Sequence, residues 1–402
     1  MRAPSATTPL DNLSRVARRT LRIAILAPPW IPVPPAAYGG IEAVVALLCD
    51  ELVARGHDVT LFAAPGSRSA ARVVAPLEGA HADQIGSALF EADHVASAYD
   101  AIHGAALDGE PFDVIHDHSG FTAVAIAHHA AAPVVHTLHA PFNDETRPFY
   151  QRHGHKARLV AISHSQLEQA PFGVHVAHVV PNPLRVEAWP FCEDKDDYLL
   201  WIGRMDPVKG AHRAIAVARR CGHRLVLAGP VQPGQQEYFA SEIEPHVDGE
   251  QIQFTGEVGG RRRKELFARA KALLMPIRWA EPFGMVMVEA LACGTPVLAF
   301  PEGAASEIVI PGENGFHVRD ELEMADAIDE LHTLDARRCR ESVAERYDVA
   351  IVADGYETVY EHAISSAARR TLRLEPRRQL AHRSGDLTRV SRRAARTPTL
   401  QA

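Results

Sequence analysis

Twice along its length this chain alternates short apolar runs with longer amphipathic segments, and no other feature limits its fold as strongly. Strands of a parallel sheet are buried on both faces and read as apolar throughout, whereas the crossover helices between them show a single apolar stripe. The first half predicts strands at Leu21–Ala27, Asp58–Ala63, Asp113–His116, Pro133–Leu138 and Arg158–Ile162, with a helix over Ile41–Arg55 stopped by Gly56. The character changes over Pro181–Asp197, where three prolines and the acids Glu193, Asp194, Asp196 and Asp197 read as a linker. The pattern then restarts with strands at Tyr198–Ile202, Arg224–Ala228, Gln251–Phe254, Ala272–Met275 and Pro296–Ala299. Helices are predicted at Ala211–Arg220, Arg261–Ala270 and Gly284–Cys293, then over Asp320–Leu334 and from Asp348 to about Ala368. An α/β chain of two Rossmann-like halves with a cleft between them is the expectation.

At 402 residues the chain exceeds one ordinary domain. Its 47% hydrophobic and 23% charged residues exclude whole-chain disorder. A membrane span is excluded as well, because the most apolar stretch, Leu21–Ala27, contains Arg22 and runs into Pro28 and Pro29, short of the roughly 20 apolar residues a bilayer needs. The same run is too short for a signal-peptide core despite Arg15, Arg18 and Arg19 before it. Five scattered cysteines without a Cys-x-x-Cys pair suit reduced thiols, and a cytoplasmic location is expected. The net charge of −8 argues against a nucleic-acid partner. It conceals a split: residues 1–20 carry +3, residues 365–402 carry +8 through ten arginines, and residues 21–364 carry −19. The basic ends read as solvated tails, with weak contact to an anionic membrane surface as the sharper alternative.

Open parallel sheets bind ligands beyond the carboxyl ends of their strands, so chemistry is sought just after each run. After the first come Tyr38, Gly39 and Gly40 before a helix, where glycines let backbone N–H groups approach a phosphate; a plain tight turn fits this pair equally well. No Gly-x-Gly-x-x-Gly fingerprint is present. After Tyr198–Ile202 come Gly203, Arg204, Lys209 and Gly210, a guanidinium fork and an ammonium five residues apart that suit a diphosphate. The most specific segment runs from Glu281 through Pro282, Phe283 and Gly284 to Glu289. With Pro282 in a first helical turn, eight residues would separate the carboxylates by about 12 Å, the reach from a sugar across a diphosphate to a ribose. That is too far for the paired carboxylates of a glycosidase.

Gly39-Gly40, Gly203-Arg204 with Lys209-Gly210, and Glu281-x7-Glu289, in this order over residues 21–364, resemble the retaining, nucleotide-sugar-dependent glycosyltransferases of family 4, which have the GT-B fold. By that resemblance residues 21–182 would form the acceptor-side domain, 183–197 the linker and 198–348 the nucleotide-sugar domain. Residues 349–368 would form a helix crossing back, with 369–402 an Arg-rich tail. Arg204 and Lys209 would hold the donor diphosphate, with Gly39, Gly40 and Gly203 supplying backbone at the phosphates. Glu281 would lie by the transferred sugar, with Phe283 and Gly284 beside it, and Glu289 would bind ribose hydroxyls. His139, in Thr137-Leu138-His139-Ala140-Pro141, matches the family histidine near the reacting sugar, and Gly303, within Pro301–Glu307, belongs to the loop whose amides meet that sugar. Asp117 and Tyr38 would face the acceptor.

The implied reaction needs no cofactor: a sugar, with a UDP-sugar as first donor, moves to a hydroxyl acceptor with retention while Arg204 and Lys209 stabilise the leaving group. No convincing Asp-x-Asp metal motif is seen, and the pairs His116/His118 and His128/His129 lack a recognised metal-ligand spacing. Arg261, Arg262, Arg263 and Lys264 read as a solvated helix start. A nucleotide-sugar-binding protein without catalysis and a sugar-nucleotide epimerase on the same fold remain the alternatives.

Overall fold

The computed structural model describes residues 19–36 and 39–383, with side chains described as far as Arg369. Thirteen strands form two all-parallel sheets. The first contains β1 (Arg22–Leu26), β2 (Asp58–Phe62), β3 (Arg72–Val74), β4 (Val114–Asp117), β5 (Val134–Thr137), β6 (Arg158–Ala161) and β7 (Val176–Val179) in the order β3-β2-β1-β4-β5-β6-β7. The second contains β8 (Tyr198–Ile202), β9 (Arg224–Ala228), β10 (Ile252–Phe254), β11 (Ala272–Met275), β12 (Val297–Ala299) and β13 (Gly315–His317) in the order β10-β9-β8-β11-β12-β13. Strand order reverses between β1 and β4 and again between β8 and β11, so each sheet has a switch point where the following loops diverge and leave a crevice.

Three strands escaped the sequence pattern. β3, β7 and β13 all lie at sheet edges, and none is buried along its whole length, so none carries the apolar run that marks a central strand. The helix Ala88–Leu107 was not predicted; its inward face is His94, Val95, Ala98, Tyr99 and Ile102, in which histidine and alanine dilute the apolar stripe. A further helix, Ala336–Tyr347, was also unforeseen. The last helix, expected to end near Ala368, runs Val349–Arg383, extended by alanine, arginine and leucine, which favour helix.

That last helix returns to the first sheet. Val352, Ala353, Tyr356, Val359 and Tyr360 join an apolar cluster with Ile23, Ile25, Leu48, Leu52 and Val135, each fully buried aliphatic contributing about 2 kcal/mol. Polar groups lock the docking. Glu357 accepts from Arg55 Nη1 at 2.8 Å and pairs with His57 Nε2 at 2.9 Å. Tyr360 Oη lies 2.7 Å from His116 Nδ1, His116 Nε2 2.8 Å from Thr137 Oγ1, and Tyr356 Oη 2.9 Å from the same Oγ1.

The chain therefore passes between the halves twice, near Leu184 and near Asp348, and these passages are hydrogen-bonded to each other. Leu184 N donates to Tyr347 O at 2.8 Å and Val349 N donates to Leu184 O at 2.9 Å. The acidic segment that follows is tied to the second half: Asp197 pairs with Lys271 at 2.9 Å, Asp196 with Arg269 and Glu193 with Arg337.

Two outcomes follow from buried polar groups. Tyr360→Phe strands His116 Nδ1 in the interior and should lower stability by about 1–3 kcal/mol, read from the urea midpoint; an unchanged midpoint would remove this bond from the account of docking. Glu42, in the first turn of helix Gly40–Ala54, is 5% exposed, and burial raises its carboxyl from 4.5 to about 7. Between those values the unfolded chain releases a proton that the folded chain retains, so stability falls as pH rises from 4.5 through 7. Glu42→Gln should match the parent near pH 4.5 and exceed it by on the order of 2–3 kcal/mol at pH 8.5; a difference independent of pH would contradict the assignment.

Candidate active site

Backbone geometry sets the first wall of the cleft. Gly39 has φ +148°, and a Cβ there would stand 2.6 Å from Pro35 Cβ, so only glycine fits at the mouth of the helix Gly40–Ala54. Across the cleft, β8 delivers Gly203 and Arg204. A Cβ on Gly229, after β9, would lie 1.7 Å from Gly203 O, so the two strand-end loops pack backbone on backbone. Gly39, Gly40, Gly203, Arg204 and Glu289 line one cavity of about 210 Å³, completed by Ile202, Pro230, Val258, Arg263, Met285 and Val286. Five of the residues expected to hold the donor are thus brought together from both halves.

Lys209, Glu281, Gly284 and Gly303 form an adjoining cluster. Asp206 Oδ1 accepts from Val208 N at 3.1 Å and starts the single turn Pro207–Lys209, and Trp201 Nε1 donates to Lys209 O at 3.1 Å. The Lys209 ammonium forms a short ion pair with Glu281 Oε2 and sits 4.3 Å from the centre of the Trp279 ring. Trp279 Nε1 donates to the same Glu281 oxygen at 3.1 Å. A Cβ on Gly303 would meet Glu281 N and O at 2.4 Å, and Ala304 N donates to Glu281 O at 2.9 Å, which holds the loop after β12 against the glutamate. Trp279 was not anticipated; it stands in the loop following β11, where the strand-end rule would have placed it.

Three expectations are corrected. The helix carrying Glu289 begins at Met285 because Gly284 is left-handed at φ +85°, so Pro282 lies in a non-helical lead-in and the 12 Å helical rise from Glu281 does not apply. Phe283 is buried in the core with its ring 5.5 Å from that of Tyr347, away from the donor cavity. Asp117 is fully buried with both oxygens engaged, Oδ1 by Ser119 N at 2.9 Å and Oδ2 by His136 Nδ1 at 2.5 Å, so it supports the strand end and does not face an acceptor. Tyr38 lies outside the described residues.

Arg263 departs from the solvated role its basic run suggested. It lines the cavity, pairs closely with Glu289 Oε2 and stands 5.3 Å from the Phe267 ring centre. His139 is half-buried after β5, with Nε2 2.8 Å from His118 Nδ1. Burial, with neighbouring His136, pushes its ring down to about 3, and burial holds His116 and His118 well below the usual histidine range. These imidazoles are neutral near pH 7. Glu307 joins the halves directly: its carboxylate accepts from His164 N and Ser165 N at 3.0 Å each.

Among the described residues no three His, Cys, Asp or Glu side chains are grouped to hold a metal ion, and no helix is long and apolar enough to cross a membrane. A larger open groove of about 840 Å³ is lined by Pro133, Val134, Lys156 and Arg158, at the amino ends of β5 and β6, away from the switch points.

The family model described as Glycosyltransferase Family 4 matches residues 38–188, and that described as Glycosyl transferases group 1 matches residues 190–346. Glycogen synthase of Mycobacterium tuberculosis is 28% identical over 387 residues, covering 81% of this chain and 92% of that protein. D-inositol 3-phosphate glycosyltransferase of Frankia alni is 26% identical over 400 residues, covering 82% and 96%. The crystal structure of AviGT4, a glycosyltransferase involved in avilamycin A biosynthesis, superposes with a TM-score of 0.66 at 28% identity, covering 86% of this chain and 98% of that one. With both halves matched in order and a cleft lined from both sheets, the chain belongs to the family-4-type glycosyltransferases of GT-B fold.

Proposed function

We propose that this glycosyltransferase moves a hexose-type sugar from a nucleoside diphosphate donor, with UDP-sugars first among the candidates, to a hydroxyl acceptor with retention at the anomeric carbon. The observation that carries the reading is a cavity lined by Arg204 and by the helix mouth at Gly39 and Gly40, together with the pairing of Lys209 with Glu281 in the loops after β8 and β11. Two cations at the carboxyl end of β8 suit a diphosphate, and the helix N-terminus adds partial positive charge and unpaired N–H groups. Glu289, at the far side of the cavity, suits ribose hydroxyls, and neutral His139 suits a hydroxyl of the transferred sugar.

In the proposed reaction the bond from the anomeric carbon to the phosphate oxygen breaks, and its electron pair stays with the diphosphate. The acceptor oxygen bonds to the same face of that carbon, and its proton passes to the departing phosphate oxygen. Arg204 and Lys209 stabilise the charge that grows on the leaving group. Lys209 must exchange Glu281 for phosphate as the donor arrives, which frees a carboxylate beside the sugar at the moment it is needed. Unpaired thiols at Cys49, Cys293 and Cys339, all buried, fit action in a reducing cytoplasm.

A thermal-shift panel of UDP-, GDP- and ADP-sugars should give one family of donors that raises the melting temperature by mass action. Arg204→Ala, Lys209→Ala and Glu281→Ala should each lower kcat on the order of 10²- to 10³-fold while the protein stays folded. Full turnover in all three variants, or product formed from donor with no acceptor present, would overturn the assignment. Proton NMR of the product's anomeric centre decides retention against inversion.

A further inference from the structure

Glu281 is 8% exposed, and both protein groups that reach it use one oxygen. Lys209 Nζ and Trp279 Nε1 meet at Oε2, and among the described residues Oε1 has no hydrogen-bond partner while still reaching open space. The two donors are not equivalent. An ammonium on a flexible stem can leave for a phosphate, whereas the indole N–H is held by a rigid, partly buried ring and can serve only its carboxylate. Trp279 also covers Lys209 from the side, with the ammonium 4.3 Å from its ring centre.

We infer that Trp279 is the positioning residue for Glu281: its indole N–H retains Oε2 after Lys209 has moved to the diphosphate, so that Oε1 alone faces the hydroxyls of the transferred sugar. The inference rests on the proposed donor chemistry and adds to it a division of labour. Before donor binds, Glu281 has two partners on one oxygen, and afterwards it keeps Trp279 and gains the sugar. Without the indole N–H, the departure of Lys209 would leave a nearly buried carboxylate with no protein partner and no fixed orientation. Trp279 would then matter for the sugar and the transfer step while being nearly irrelevant to the nucleotide.

The test separates those effects. Trp279→Phe keeps an aromatic face for Lys209 and removes the N–H together with the indole's second ring; Trp279→Leu, which also lacks a donor, serves if the phenylalanine variant melts early. Titration with UDP, GDP and ADP should give unchanged affinity in the variant for whichever of them the parent binds. The corresponding sugar nucleotide should lose the extra affinity the sugar confers, and kcat should fall about 10- to 100-fold, the loss expected for a hydrogen bond to a charged group. Parent-like kcat and sugar increment in both variants would overturn the inference and leave the proposed function standing. Nucleoside diphosphate affinity falling in parallel with turnover would also overturn it, because a general structural role predicts that result. Failure of the parent to bind any of the three nucleoside diphosphates would instead remove the proposed function, and this inference with it.

Discussion

The reversal of strand order in the middle of each parallel sheet is the constraint from which the cleft follows. Where neighbouring strands send their connections to opposite faces, the loops separate and a crevice opens at the carboxyl edge. Here one crevice lies between β1 and β4 and the other between β8 and β11. Gly39 and Gly40 follow β1, His118 follows β4, Gly203 and Arg204 follow β8, and Trp279 and Glu281 follow β11. Residues far apart in the chain meet because topology allows a ligand only there. The paired passages at Leu184 and Asp348 then bring the two crevices to a shared cavity, which draws lining residues from both.

Central strands were legible because burial on both faces leaves a mark on every residue; β8, β9 and β11 have the bounds their apolar runs predict. Three of the four edge strands, β3, β7 and β13, lack that mark. The cavity positions Gly203 and Arg204 were legible because glycine beside a cation after a strand is an unusual combination. What stayed hidden depended on partners distant in sequence. Arg263 sits in a run of basic residues that looks solvated, and only the fold sets it against Glu289, 26 residues on. Asp117 had the right strand end, but its orientation is decided by His136 on the neighbouring strand, to which it is registered directly. Phe283 shows the opposite error, a motif residue whose bulk is needed by the core and not by the cavity.

An acidic body that is proposed to hold a diphosphate needs a reason not to repel it. Two of the three cations at the site are already paired with carboxylates, Lys209 with Glu281 and Arg263 with Glu289, while Arg204 donates to Gln232 Oε1 at 3.3 Å. A nearly buried carboxylate without a partner would cost several kcal/mol, so the pairs keep an empty site tolerable. In the proposed complex the arriving phosphate takes Lys209, the sugar hydroxyls take over the released Glu281, and the ribose hydroxyls join Arg263 at Glu289. Binding is then an exchange of partners in which few groups lose compensation, and it selects for a ligand carrying anionic and hydroxylic parts at the right separation. A bare diphosphate satisfies half of that exchange, and a free sugar the other half.

Neutral imidazoles complete the electrostatics, and the last helix packs against the innermost of them. Tyr356 and Tyr360 from the last helix pack against His116, tilted and edge-on, at 4.6 and 5.5 Å between ring centres, His116 lies 4.1 Å from His118, and His118 lies 5.1 Å from His139. Burial disfavours the imidazolium form at each of the three histidines. A charged histidine would compete with Arg204 and Lys209 for the phosphate, whereas a neutral one offers a hydrogen bond with no net charge. Docking of the last helix on the first sheet is thus more than a closure of the fold. It closes the interior over His116, the first ring of a series that continues through His118 to His139, more than 200 residues earlier in the chain.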